Sequence, residues 1–417
     1  MVDQPIQSRP GTLHIGVVAG EASGDLLGAR LMAGLRQLWP GEVRFSGVGG
    51  PAMTAQGLTS LFPMAELSVM GIVEILPRAP QLLRRVGEVV KAMQVDPPDV
   101  LVTVDSPAFS FRVARRLKRA RCGFPLVHYV APTVWAWRPG RARMIAGFLD
   151  HLLVVLPFEP PWFRIVGLEA TFVGHSVVEG AVPRAVLDAQ AEALRQRLGI
   201  APGLRAVCLL PGSRQGEVGR LLPLFRDTAA LLAKRIGPFV AILPTLAHLE
   251  DTVRASVADW PVPVHVLVDP GDKLPAMAAC DVALAASGTV TLELALARTP
   301  MLVTYRVSPV TAAVLRLMVS VRHASLVNLI EDAPIIPERL QGAARPDVLA
   351  GDLVALLDDP NARERQFAAI DRVMAKLGLG GEAPGLRAAR AVLGVLHART
   401  DRVAQPDLVG PDGGQRR

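Results

Sequence analysis

The chain has 417 residues, half of them hydrophobic, a mean hydropathy of +0.34 and a net charge of +7 at pH 7. Such a length suits two to three domains with sizeable cores, and no run reaches the roughly 18 uninterrupted apolar residues of a membrane-spanning helix. The opening MVDQPIQSRPGTLHIG lacks a basic start and an apolar signal core, while Cys122, Cys208 and Cys280 are too few and too far apart for a disulfide framework or a zinc site. The expectation is a cytoplasmic protein that rests on a membrane rather than crossing it.

Apolar strand-like runs alternate with helix-length segments, the rhythm of parallel sheets covered by helices. Strands are predicted near 13–18, 43–48, 100–104, 126–130, 151–155 and 170–173, with helices beginning near 24, 51, 79, 108, 139 and 158. Residues 181–203, a charged helical stretch ending in GIAPG, read as hinge and linker. A second series places strands near 206–210, 239–243, 263–268, 281–285, 301–305 and 326–330, then helices at 346–357, 362–376 and 384–398. The domain reading is a flexible 1–12, a Rossmann-like domain at 13–180, the linker, a second Rossmann-like domain at 204–398 whose final helices can cross back, and a disordered tail at 399–417.

Five segments carry polar chemistry. VVAGEASGDLLGA at 17–29 lacks GxGxxG spacing, so Ser23, Gly24 and Asp25 either cap and pack a helix or let a substrate approach the backbone. VLVTVDSPAF ends a Val-rich strand at Asp105, an N-cap on one reading and on the other a general base in the crevice at the strand's carboxyl end. HYVAPTVWAWRPGR at 128–141 sets His128, Trp135 and Trp137 beside Arg138, for stacking on sugars or for filling a core. LLPGSRQGE places Gly212, Ser213 and Arg214 at a strand end, and AASGTVTLE places Ser287, Gly288 and Thr289 at a helix start with Glu293 one turn in. Helix N-termini present unpaired N–H groups and partial positive charge, and Arg214 is a forked donor suited to phosphate. Glu293 can accept from sugar hydroxyls. Singly each turn is an ordinary cap; together they read as a pocket for a nucleotide-diphosphate sugar. No Asp-x-Asp pair suggests a metal clamp, so neither a metal nor a cofactor is expected.

Arg112, Arg115, Arg116, Lys118, Arg119, Arg121, Arg138, Arg141 and Arg143 crowd into about thirty residues. They form either a solvated helix face or a surface that attracts anionic lipid or a phosphorylated substrate. No recognition motif accompanies them, so nucleic acid is not expected. Residues 309–323 mix apolar side chains with Arg316, Arg322 and His323, as an interfacial helix does; a core helix or a dimer contact is the other reading.

VAGEASGDLLGA, DSPAF, HYVAPTVWAWRPGR, LLPGSRQGEV, ASGTVTLE and SLVNLI, in this order from about residue 13 to 397, resemble the lipid-A-disaccharide synthases. The resemblance implies an α/β GT-B glycosyltransferase fold, two doubly wound Rossmann-like domains facing an interdomain cleft, and an inverting transfer in lipid A biosynthesis. UDP-2,3-diacylglucosamine would be the donor and 2,3-diacylglucosamine 1-phosphate (lipid X) the acceptor, giving a β-1′,6-linked disaccharide 1-phosphate and UDP. It further implies that Asp105 is catalytic, that Arg214 is the PGSR arginine, that Glu293 and Asn328 contact the nucleotide, and that Ser23 and Gly24 belong to the amino-terminal loop. An anionic inner-membrane surface is an expected partner, and a homodimer stays open. The acyl chains need an apolar home, for which Val69, Met70, Ile72 and Val73 in LSVMGIVEILP are candidates, a core element being the alternative.

Two departures from the family pattern stand out: SLVN at 325–328 in place of SLPN, and AFSFRVA after DSP, where DFN is more usual. The second leaves Asp105 as the only carboxylate of its segment. A sugar-nucleotide epimerase and a non-catalytic nucleotide-sugar-binding scaffold at the membrane are the competing functions, and EASGD and VWAWRPGR weigh against the epimerase.

Overall fold

In a computed structural model of the protein, residues 11–67, 72–137, 140–308 and 321–404 are described. The chain forms two compact units, residues 1–176 with 381–417, and residues 177–380.

The first unit runs β1 (Leu13–Ala19), α1 (Ala22–Leu38), β2 (Val43–Val48), α2 (Pro51–Ala55), β3 (Thr59–Ser60), α3 (Ile72–Val95), β4 (Val100–Val104), α4 (Pro107–Arg119), β5 (Leu126–Tyr129), α5 (Gly140–Ala146), β6 (His151–Val154), α6 (Pro160–Arg164) and β7 (Ala170–Phe172). Its strands form a parallel sheet in the order β3-β2-β1-β4-β5-β6-β7. Every residue of β1, β4 and β5 is buried, as a strand covered on both faces requires, and Val and Leu fill them because branched side chains suit a pleated buried surface. One face packs against α3 to α6 through Phe111, Val113, Leu117, Ile145 and Phe163. The other packs through Leu31, Met32 and Leu35 of α1 and through Ala388, Ala389, Val392 and Leu393 near the end of the chain.

The second unit runs α7 (Arg184–Arg197), β8 (Arg205–Leu210), α8 (Gln215–Ile236), β9 (Phe239–Pro244), α9 (Glu250–Val257), β10 (Val264–Leu267), α10 (Pro270–Ala278), β11 (Val282–Ala286), α11 (Val290–Ala297), β12 (Met301–Tyr305), α12 (Leu326–Glu331), β13 (Glu338–Leu340), α13 (Pro346–Asp358) and α14 (Pro360–Leu377). Its parallel sheet has the order β10-β9-β8-β11-β12-β13. The chain then returns to the first unit as α15 (Pro384–Ala404), which lies along α1.

Three expectations change. The run at 326–330, read as a strand, is helix α12; the Ser325 hydroxyl accepts from Val327 N and caps it, and β13 takes the sheet position beside β12. A short apolar run carries no period that separates strand from buried helix. Residues 184–197, expected as a helical stretch of the linker, are helical but pack into the second unit as α7, which buries Leu187, Ala191 and Leu194, while Arg195 donates to the carbonyls of Ala279 (2.7 Å) and Leu204 (2.6 Å). Helix α3 starts at Ile72 rather than near 79, with Ile72 and Val73 in its first turn. Val69, Met70, Arg138 and most of the 309–323 segment lie outside the described residues.

The return of α15 depends on a glycine. A Cβ at Gly34 of α1 would stand 2.9 Å from both the Ala389 Cβ and the Gly385 carbonyl. Gly34→Val should therefore wedge the two helices apart and cost about 1–3 kcal/mol, the usual penalty for overpacking. Urea unfolding measures it, and wild-type stability in this variant would show that the two helices do not meet so closely.

Candidate functional site

In the first unit the polar residues gather where β1 and β4 end. Asp105 and Ser106 follow β4 with φ of 51° and 45°, two consecutive left-handed residues that are not glycine, a conformation that costs energy and that the surrounding contacts must hold. Asp105 N donates to the Tyr129 carbonyl (2.9 Å), Ser110 Oγ donates to the Asp105 carbonyl (2.7 Å), and Asp105 Oδ1 accepts from Ser106 N (2.8 Å). The other oxygen, Oδ2, faces Ser23 Oγ at 3.5 Å. One carboxylate oxygen is thus anchored while the second points toward an exposed hydroxyl. A Cβ at Gly20 would meet Ser106 Oγ at 2.6 Å, and one at Gly24 the Val104 carbonyl at 3.2 Å. These two glycines let α1 approach the end of β4, which is what brings Ser23 to Asp105.

For Asp25 the structure shows a capping contact: it is buried, and its carboxylate accepts from Gly50 N (2.8 Å), Ala52 N (2.9 Å) and Met53 N (3.0 Å), so it caps α2.

The second unit holds a cavity of about 330 Å³ at the carboxyl ends of β8 to β11. Gly212, Ser213, Ser287, Gly288, Thr289 and Glu293 all line it, so the two turns singled out in the sequence meet at one hollow. Gly212 has φ 115° and a Cβ there would reach Glu217 Oε2 at 2.7 Å; Gly288 has φ 155°. Only glycine takes both positions without strain. Ser287 Oγ donates to the Ala324 carbonyl (2.7 Å). Arg214, in contrast, does not line the cavity: its side chain is 71% exposed and touches Glu217 Oε1 at 3.2 Å. That oxygen also accepts from Tyr305 OH (2.9 Å), so Glu217 ties the arginine's turn to β12.

Asn328 does not line the cavity. It is fully buried; its Nδ2 donates to the Ile336 carbonyl (2.8 Å) and Glu338 Oε1 (2.8 Å), and its Oδ1 accepts from Ile335 N (3.0 Å) and Ile336 N (2.8 Å). No side-chain capacity remains for a nucleotide. Its effect reaches the cavity indirectly, because Glu338 also accepts from Ala324 N (2.9 Å) and Ser325 N (2.8 Å), and Ala324 in turn receives Ser287. The SLVN departure has a local compensation: Val327 supplies the N–H that Ser325 accepts, which proline lacks.

Sequence reasoning missed Lys273, Glu217 and Glu338. Lys273 lines the cavity, and its Nζ holds the Glu293 carboxylate at 2.7 and 2.6 Å. Its one signal is that lysine occurs only five times in the chain. Glu217 shows only as an acid three residues after Arg214. Of the aromatic segment, Trp135 is buried, edge-on to Phe158, whereas Trp137 is 37% exposed and donates to Thr133 Oγ1 at 3.2 Å. His128 is buried beside Thr103 Oγ1 (2.8 Å), and burial pushes its pKa down to about 3, so it is a neutral core residue.

The family model of lipid-A-disaccharide synthetase matches residues 15–383. The lipid-A-disaccharide synthase of Rhodospirillum centenum is 50% identical over 395 residues, covering 94% of this chain and 98% of that one. The enzyme of the same name from Paramagnetospirillum magneticum is 49% identical over 379 residues, covering 90% and 96%. Among solved structures, the UDP-GlcNAc 2-epimerase of Neisseria meningitidis bound to UDP-GlcNAc superposes with a TM-score of 0.60 at 12% identity, covering 93% of this chain and 100% of that one. Acinetobacter baumannii MurG gives 0.55 at 13% identity, covering 93% and 99%. At such identities the likeness is one of fold, a GT-B-like pair of Rossmann-type units.

One buried acid of the first unit yields a pH prediction. Glu159 accepts from Trp135 Nε1 (3.1 Å), Val155 N (3.1 Å) and Leu156 N (2.9 Å), yet burial outweighs these donors and raises its pKa from 4.5 to about 7. Between those values the unfolded chain has lost this proton while the folded chain keeps it, so Glu159 lowers stability as pH rises from 4.5 to 7. Glu159→Gln removes that slope. The stability of wild type minus variant, from urea titrations, should fall across this window; a flat difference would mean that the carboxyl ionises as in water.

Proposed function

The chain belongs to the lipid-A-disaccharide synthase family, and from that premise we propose how its residues divide the work of glycosyl transfer. The reaction joins 2,3-diacylglucosamine, carried on UDP, to the 6-hydroxyl of 2,3-diacylglucosamine 1-phosphate. Its products are the β-1′,6-linked disaccharide 1-phosphate and UDP.

The acceptor hydroxyl is a poor nucleophile until its proton has somewhere to go. Asp105 takes that proton on the oxygen that faces Ser23, while Ser106 N holds the other oxygen in place. The freed oxygen attacks the anomeric carbon opposite the phosphate, the new C–O bond forms as the bond to UDP breaks, and the centre inverts. UDP leaves with about two negative charges, which the N–H groups of Gly288 and Thr289 and the Gly212–Ser213 turn stabilise together with Arg214. Glu293 accepts from sugar hydroxyls of the donor. The observation that supports this division best is the meeting of both predicted turns at one cavity. Asn328 and Asp25 take no direct part; they hold the turns on which Ser287 and the amino-terminal loop rest.

Incubation of the protein with both lipid substrates should release UDP only when both are present, with a disaccharide found by mass spectrometry. An epimerised monosaccharide would overturn the reading. Asp105→Asn should fold, since the amide can still accept from Ser106 N, and should lose about 10²–10⁴ in turnover. Near-normal turnover would return Asp105 to a structural role. Arg214→Ala should weaken UDP binding by about 1.5 kcal/mol, the low end for a charge-assisted bond because the side chain is exposed. Calorimetric UDP titration measures this, and an unchanged affinity would take Arg214 out of the site.

A further inference from the structure

Charge is distributed very unevenly along this chain. Residues 106–149 contain nine Lys and Arg and not one Asp or Glu. Those nine positive charges exceed the +7 of the whole protein, so the rest of the chain is slightly acidic. A merely solvated stretch of chain mixes both signs; this one does not.

The fold turns that sequence bias into a face. Strands β4, β5, β6 and β7 are successive neighbours in one parallel sheet, and right-handed crossovers between them put α4, α5 and α6 on the same side. The inner surfaces of the three helices share one core, through Phe111, Ile145 and Phe163 among others. Their outer surfaces therefore form one layer. On α4, Arg112, Arg116 and Arg119 follow helical spacing and are exposed. On α5, Arg143 is exposed, and next to it Met144 is 45% exposed. None of these four arginines has a carboxylate partner among the described residues; the nearby Lys118 does, in Asp150 at 2.6 Å. Arg115 lies instead over the Phe148 ring at 4.9 Å and Arg141 over Phe111 at 5.6 Å, held close to the layer.

The same layer carries apolar side chains that the core does not use. Trp162 of α6 is 41% exposed and Ile165, just beyond its end, is 85% exposed, although Phe163 between them is fully buried. Exposing isoleucine to this extent is unfavourable in water and favourable at the boundary of headgroups and acyl chains.

We propose that the outer face of α4, α5 and α6 is the surface by which this protein lies on an anionic lipid bilayer, with Trp162, Ile165 and Met144 entering the interface and the arginines bound to lipid phosphates. Phosphates alone would satisfy the arginines of any polyanion-binding face; the apolar group is what fits a bilayer and has no counterpart on a nucleic acid backbone. The choice of a bilayer also rests on the lipid substrates proposed above.

The test is co-sedimentation of the full chain with vesicles, paired with UDP release from detergent-dispersed substrates. Wild type should bind vesicles of phosphatidylethanolamine and phosphatidylglycerol at least tenfold better than phosphatidylcholine alone, and less well as salt rises. Ile165→Asp and the double variant Arg116→Glu with Arg119→Glu should each lower that partition at least fivefold, with UDP release in detergent within twofold of wild type. Equal partition of wild type and variants, or no binding by wild type, overturns the proposal. So does a charge-reversal effect without an Ile165→Asp effect, with heparin competing as well as vesicles; that outcome identifies a polyanion site. Absent UDP release from folded wild type in detergent would instead refute the catalytic reading, whatever the vesicles show.

Discussion

Strands buried on both faces leave polar chemistry nowhere to sit except at their ends. In β4 the sequence VLVTV is buried throughout, and the next residue is Asp105. In β11 VALAA is buried throughout, and the next residue is Ser287. The carboxyl end of a parallel strand is also where a helix begins, so the same step in the chain delivers a side chain and a set of unpaired N–H groups. Both parts of the proposed chemistry follow from that constraint, once in each unit.

Turns placed this way need bracing, and the braces are carboxylates. Asp25 gathers three backbone donors of the turn into α2, Glu159 two backbone donors and an indole, Glu338 two backbone donors and an amide. Glu217 does the equivalent work with side chains, joining Tyr305 to Arg214. A carboxylate with several N–H partners offsets part of the cost of its burial, and it fixes a loop more tightly than any single bond. Of these acids only Asp25 stands among the candidates read from the sequence; Glu159, Glu217 and Glu338 do not.

That contrast explains what the sequence discloses. The alternation of apolar runs with helical segments makes the paired parallel sheets legible, because buried strands and crossover helices differ in length and period. The position of Asp105 at a strand end is legible for the same reason, as are the glycines 212 and 288 at turns. Which role Asn328 and Asp25 take is not, since a polar side chain that braces a turn and one that binds a ligand have the same neighbours in one dimension. Lys273 is hidden because its partner, Glu293, lies on the next helix, and α12 because LVNLI has no period to read. Exposure is least visible of all: nothing in PPWFRI says that Phe163 is buried while Ile165 is left in solvent.

The packing of α15 on α1 has a consequence for the order in which the protein can be made. The first unit is not contiguous in sequence, for Ala388, Ala389, Val392 and Leu393 complete a core that begins with Leu13. A ribosome delivers residues 177–380 before it delivers those four. At about 5–20 residues per second, the early segment waits about 10–40 s for its last apolar contacts. During that interval the sheet face later covered by α15 lies open, and the second unit, contiguous and already whole, can fold first. The unit that is synthesised first is thus the one that finishes last, and the surface it exposes meanwhile is the one that a holding chaperone would have to cover.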